Sequence, residues 1–140
     1  ARKLGLPAVG HLAMPAHTES DLSVLRMALT RKDAPTALFC SNDLLASSVL
    51  SQLIGLGVSV PQDLSVCGFD GVAIGALMMP PLSSVSQPSR EIGAQACARL
   101  LDFMQNDIPI ESVRLAHRVF PGGTVAAAPA KPSSVRIKQA

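Results

Sequence analysis

The sequence of 140 residues has no Trp and no Tyr, and aromatic residues make up only 3% of it. A chain so poor in aromatic faces offers no stacking platform for single-stranded nucleic acid, where bases lie against Phe, Tyr or Trp. Its core must be built from Leu, Val, Ile, Ala and Met, within a 48% hydrophobic composition. Basic patches are lacking too. The formal charge of +2 comes from the end of the chain, where Lys131, Arg136 and Lys138 stand with no acid nearby. Residues 1–130 carry 9 basic and 10 acidic side chains, so the body has no electrostatic footprint for duplex DNA. No apolar run approaches the length of a membrane span.

Chemical signatures are equally sparse. The three cysteines, Cys40, Cys67 and Cys97, are an odd number without a CxxC pair. Two of them lie inside apolar runs and read as small buried hydrophobes in a reducing compartment. His11, His17 and His117 show no metal-ligand spacing, so no metal site is expected. Neither a GxGxxG nor a P-loop is present, and no GxSxG elbow surrounds Ser41 or Ser65. Neither a catalytic constellation nor a cofactor is therefore expected. The chain opens on Ala1 with a segment that reads as a helix end, which leads us to expect sequence before it.

What is present is an alternation of strand and helix patterns. Residues 8–14 form a weak strand candidate. Leu22, Leu25 and Leu29 repeat at helical spacing over about Ser20–Arg31, behind N-cap chemistry at residues 17–21. Thr36–Cys40 is a short continuous apolar run, the pattern of a strand buried on both faces. A helix follows from Ser41–Asn42–Asp43, with apolar positions Leu44, Leu45, Val49, Leu50, Leu53 and Ile54, and Gly55 and Gly57 stop it. Leu64–Cys67 with Phe69 gives a second buried strand and Ser83–Val85 a brief third one. Pro88 and Ser89 begin the best helix of the chain, Arg90 to about Gln105, with a stripe of Ile92, Ala96, Leu100, Leu101 and Met104. Residues 112–120 partly alternate as a strand, and Thr124–Val125 reads as a last short one. Residues 126–140 have the composition of a disordered tail.

This order predicts an α/β fold with a mostly parallel sheet flanked by helices. Ligands of such sheets bind outside the carboxyl ends of the strands. The rule selects two places: Asn42 after the first apolar run and Asp70 after the second. An amide and a carboxylate together suit a polyhydroxylated ligand. Each also has a purely local reading, Asn42 as a helix cap and Asp70 as an Asx turn. Leu77, Met78 and Met79 form an apolar patch that reads either as core or as an adaptable contact surface.

At the same places the chain resembles the lactose-repressor (LacI/GalR) family. Residues 35–46 (PTALFCSNDLLA), 60–70 (VPQDLSVCGFD) and 80–88 (PPLSSVSQP, followed by Ile92–Gly93) are similar to three successive motifs of that family at family spacing. The resemblance implies the C-terminal lobe of a type I periplasmic-binding-protein-like effector domain over residues 1–125, truncated. The helix-turn-helix head and most of the first lobe would be absent, and helix 90–105 would belong to that missing lobe. It also implies a cytoplasmic, homodimeric, non-enzymatic repressor. A sugar or a sugar acid would bind between the lobes, and DNA would be held only through the absent head. By matched position Asn42 and Asp70 are effector contacts, Gln87 is a further one where the chain crosses between lobes, and Leu77 and Met78 fall in a dimer contact. The position that often carries a stacking aromatic aligns near Ala16, which implies a smaller or more acidic ligand. The PGGT of residues 121–124 and the IG of residues 74–75 resemble the gluconate-responsive branch. The alternative is a secreted sugar-binding protein for transport, towards which Asp70–Gly71 leans.

Overall fold

The computed structural model describes residues 10–13 and 22–128. Its elements run α1 (Leu22–Leu29), β1 (Ala37–Phe39), α2 (Asp43–Gly55), β2 (Ser65–Asp70), α3 (Ala73–Ala76), β3 (Ser83–Ser86), α4 (Ser89–Asn106) and β4 (Arg118–Phe120). The four strands form one sheet in the order β1-β2-β3-β4. β1, β2 and β3 are parallel, and β4 returns antiparallel to β3. This is the mostly parallel α/β sheet that the alternation of patterns predicts.

α2 shows why its segment is helical and why it packs where it does. Asn42 caps it from an extended conformation, its Oδ1 accepting the Leu45 backbone N–H at 2.7 Å. Ala46, Val49, Leu50 and Leu53 are buried, a three-four spacing that turns one stripe onto β2. At the other end Gly57 takes φ 73°, and its N–H reaches the Ile54 carbonyl at 2.9 Å. The next N–H, from Val58, reaches the Leu53 carbonyl at 2.9 Å. These two bonds form a Schellman ending, sealed by burial of Val58 on Leu53. Leu25 and Leu29 of α1 join the same core with Leu56, Leu64, Val66 and Leu82.

Several expectations are corrected. The Thr36–Cys40 run is not buried on both faces, because among the described residues the core lies against only one side of β1. Leu38 packs against the core and Cys40 is buried, whereas Ala37 and Phe39 are exposed. Phe39 meets Phe69 edge-to-face on the other side, with ring centroids 6.3 Å apart. Within α2, Leu44 and Ile54 lie outside the buried stripe and are exposed. Of residues 112–120 only Arg118–Phe120 pairs as a strand, and all three are exposed. Thr124–Val125 is not a strand at all. Residues 10–13 have no regular secondary structure, and the rest of the 8–14 candidate lies outside the described residues, as do Ala16, His17 and residues 129–140.

Thr124 nonetheless lies at the centre of the sheet's support. It is fully buried. Its Oγ1 donates to the Val66 carbonyl at 2.6 Å and accepts the Ser83 N–H at 2.9 Å. Its own carbonyl accepts the Val66 N–H at 2.8 Å. One side chain thereby joins β2, the start of β3 and the segment after β4.

α4 follows the predicted boundaries within a residue or two, yet none of its residues is buried. Leu100, Leu101, Phe103 and Met104 all face solvent. Its polar anchors are few: Arg99 Nη1 donates to the Glu111 carbonyl at 3.2 Å.

Candidate functional site

Because β1, β2 and β3 are parallel, their carboxyl ends share one edge of the sheet. The chain leaves that edge three times. After β1 it passes through Cys40 and Ser41 to Asn42. β2 ends on Asp70, whose register partner Ser86 ends β3, and Gln87 is the next residue. Backbone geometry alone therefore assembles Asn42, Asp70 and Gln87 on the edge where parallel sheets bind ligands.

Asp70 and Gln87 are in direct contact. Gln87 Nε2 donates to Asp70 Oδ1 at 2.7 Å, and the Gln87 backbone N–H donates to the Asp70 carbonyl at 3.2 Å. One carboxylate oxygen is thus fixed, and Oδ2 has no hydrogen-bond partner among the described residues. Asp70 adopts φ 106°, a conformation that costs a non-glycine residue about 1–3 kcal/mol. Gly71 follows at φ 70°. A Cβ there would run into Ser86 Cβ and Cα, so the turn after Asp70 requires glycine for both its dihedral and its close approach to β3.

Asn42 is exposed, and its Oδ1 is committed to the helix cap. Its amide N–H groups have no partner among the described residues, so the cap and a ligand contact use different atoms of one side chain. Gln87 and Pro88 line two shallow surface depressions on the α4 side, one with Arg90 and Glu91 and the other with Ile92, Arg99 and Val113. Neither depression reaches Asn42 or Asp70. On this chain the three residues form an open edge rather than an enclosed pocket.

Beneath the edge lies a residue that the sequence reading left as part of a cap. Asp43 is buried, its Oδ1 accepting the Ser84 hydroxyl at 2.6 Å and its Oδ2 accepting the Val72 N–H at 2.8 Å. Ser84 Oγ in turn accepts the Gly71 N–H at 3.3 Å. Available signals were the acid directly after the cap position and the run of serines in the Ser83–Ser86 strand.

The cysteines carry no site chemistry. Burial pushes the Cys40 thiol up to about 11, helped by Cys67 and Asp43. Cys67 is raised for the same leading reason and by Asp43. All three cysteines are free. Among the described residues no group of His, Cys, Asp and Glu could hold a metal ion, and no helix is long and apolar enough to cross a membrane. The apolar patch before Pro80 divides: Met78 packs against the core, whereas Leu77 and Met79 are 81% and 88% exposed.

Helices over a mostly parallel sheet, with polar side chains gathered at its carboxyl edge, define a ligand-binding lobe of the periplasmic-binding-protein kind. The model of the periplasmic-binding-protein-like domain family matches residues 1–125, and the chain belongs to that family. It is 40% identical over 87 residues to the HTH-type transcriptional repressor CytR of Escherichia coli strain K12, covering 62% of this chain and 26% of that protein. Among solved structures it resembles a LacI-family transcriptional regulator from Arthrobacter sp. FB24 in complex with lactose (29% identity, TM-score 0.63, 75% of this chain and 39% of that one). A LacI-family regulator from Enterococcus faecium with bound ribose is similar at 29% identity and TM-score 0.67, over 75% and 39%. The chain spans about a quarter of the length of the curated relatives it matches and about two fifths of the solved chains. These relatives are transcriptional regulators. A transport protein is not favoured.

Proposed function

We propose that this chain is the effector-sensing part of a LacI-type repressor, contributing one wall of a cleft that takes a sugar or a sugar acid such as gluconate. The observation that supports this most is the Asp70–Gln87 pair at the sheet's carboxyl edge, with Asp70 held in an unfavourable backbone conformation. One carboxylate oxygen is fixed by the amide, so the other is presented as an acceptor for a ligand hydroxyl. The Asn42 amide supplies the complementary donor. Relatives with bound lactose and ribose are consistent with such a donor–acceptor edge. Closure of a second wall over the ligand would favour one arrangement of the lobes, which changes how a DNA-binding head fits its operator. Repression, DNA binding through a helix-turn-helix head, and a cytoplasmic location belong to this reading of the whole protein.

Calorimetric titration of the full-length parent protein, which supplies both walls of the cleft, with ribose, lactose and gluconate tests the site. Asn42→Ala and Asp70→Ala each lower affinity about tenfold or more for the sugar that binds, since each removes a hydrogen bond to a buried polar ligand. Unchanged affinity in both variants would overturn the assignment. The same reading puts a homodimer contact at Leu77 and Met78, of which Leu77 is exposed and Met78 packs partly against the core. Sedimentation of Leu77→Asp then shows weakened dimerisation.

A further inference from the structure

We infer that Asp43 is the positioning residue of this edge: its buried carboxylate clamps the Asp70–Gly71–Val72 turn and so sets where the Asp70 side chain points. This rests on the assignment of Asp70 as a ligand contact, but the clamp itself is visible without a ligand. The carboxylate makes bonds in two directions. Oδ2 takes the N–H of Val72, two residues past Asp70, at 2.8 Å. Oδ1 takes the hydroxyl of Ser84 at 2.6 Å, and Ser84 takes the N–H of Gly71 at 3.3 Å. Both backbone donors that follow Asp70 are therefore held, directly or through one hydroxyl, by a side chain from the first turn of α2.

The surroundings are shaped for this carboxylate. Asp43 is 1% exposed. Gly68 lies so close that a Cβ there would collide with Asp43 Oδ1, and Gly75 leaves a Cβ-sized contact at 3.9 Å from Oδ2. Asp70 at φ 106° is in a conformation that a non-glycine residue keeps only with support, whereas Gly71 adopts φ 70° at no such cost. Gln87 restrains Asp70 from the β3 side. Without Asp43, the Val72 N–H loses its acceptor and the Ser84 hydroxyl that takes the Gly71 N–H loses its anchor, so the turn is free to relax. Asn42 and Asp43 thus divide the work at one helix start: the first faces outward to ligand, the second inward to the turn that carries the other ligand contact.

Hydrogen–deuterium exchange of the full chain, followed on a peptide covering residues 69–76, provides the test. In Asp43→Ala this peptide exchanges about tenfold faster or more relative to the β2 and β3 amides, the effect of losing a charge-assisted bond. Asp43→Asn, which can still accept from Val72, restores most of the protection. Leu53→Ala, a core cavity remote from the turn, is the control for general destabilisation and accelerates sheet and turn together. Should Asp43→Ala fail to fold, Ser84→Ala serves, and it deprotects Gly71 in preference to the sheet. Equal acceleration of turn and sheet in the Asp43 or Ser84 variants, as in Leu53→Ala, would overturn the clamp. No ligand enters this experiment, so its failure leaves the Asp70 assignment standing, whereas unchanged sugar affinity in Asp70→Ala removes that assignment alone.

Discussion

Replacing Thr124 with Val tests whether one hydroxyl holds the segment after β4 against the sheet. The substitution keeps the shape of the side chain and deletes only its hydrogen-bonding capacity. Two bonds disappear: the hydroxyl's donation to the Val66 carbonyl at 2.6 Å and its acceptance of the Ser83 N–H at 2.9 Å. The second loss is the more serious one. Ser83 is buried, so its N–H is left without water or an alternative acceptor, at about 1–3 kcal/mol. The first removes an ordinary bond worth about 1 kcal/mol. The added methyl returns at most about 0.8 kcal/mol of transfer free energy. A net destabilisation of about 2–3 kcal/mol follows, a large part of the 5–15 kcal/mol typical of a whole domain, taken as about that range here. Urea unfolding at low micromolar concentration, repeated at two concentrations to exclude association, reads this as a lower midpoint with an unchanged slope. Thr124→Ser keeps both bonds and loses one buried methyl, costing only about 1 kcal/mol. A Val variant within about 0.5 kcal/mol of wild type, or a Ser variant less stable than Val, would refute the hydrogen-bond account in favour of packing.

Gly71→Ala forces a Cβ onto Ser86 at a residue with φ 70°, and lowers stability by about 2 kcal/mol or more in the same urea assay, through dihedral strain and overpacking together. Thiol labelling at pH 8 proceeds at Cys97 first, then Cys67, and last at Cys40. Cys97 is exposed and Cys40 is buried with its thiol raised to about 11, which leaves about one thiolate in a thousand at that site. The same shift has a consequence for stability. An unfolded chain releases this proton near about pH 8.5, so stability is intact below that pH and falls as pH rises towards the folded value of about 11. Exposure of Leu100, Leu101, Phe103 and Met104 along α4 predicts that the 140-residue chain self-associates. Light scattering checks this, and Leu101→Glu with Met104→Lys shifts the distribution towards monomer, whereas a sharp wild-type monomer peak with cooperative melting contradicts it.

The fold was legible where burial and local conformation agree. α2 has a cap, a three-four apolar stripe and a glycine at its left-handed ending, and each of these signals is local. β2 follows from a short apolar run between turns, and β3 from its place between Pro80–Pro81 and Pro88. Legibility failed where tertiary placement decides. Apolar content cannot distinguish β1, with Phe39 exposed on one face, from a strand covered on both faces, because coverage depends on which elements lie over the sheet. Thr124 reads as part of a strand by residue type, but its role comes from side-chain bonds to residues 41 and 58 positions away. No window of sequence contains those partners.

The site divides along the same line, within two adjacent residues. Asn42 could be found because its position has a backbone signature, an exit from an apolar run into a helix, and the rule for parallel sheets attaches ligand binding to that exit. Asp43 has the same signature, and local logic assigns it the commonplace duty of an acid in a helix's first turn. That duty explains an acid at the helix start but not its burial. Asp43 is buried, and a buried polar group is costly unless it is hydrogen-bonded; the Ser84 hydroxyl and the Val72 N–H supply those bonds. The consequence runs from energetics to function. A carboxylate that must keep its two partners to remain buried cannot let go of the turn, and that turn carries Asp70 in a conformation it would not adopt alone. The carboxyl edge of the sheet is thereby tied from behind through Asp43, beneath the outward amide of Asn42 and the free oxygen of Asp70.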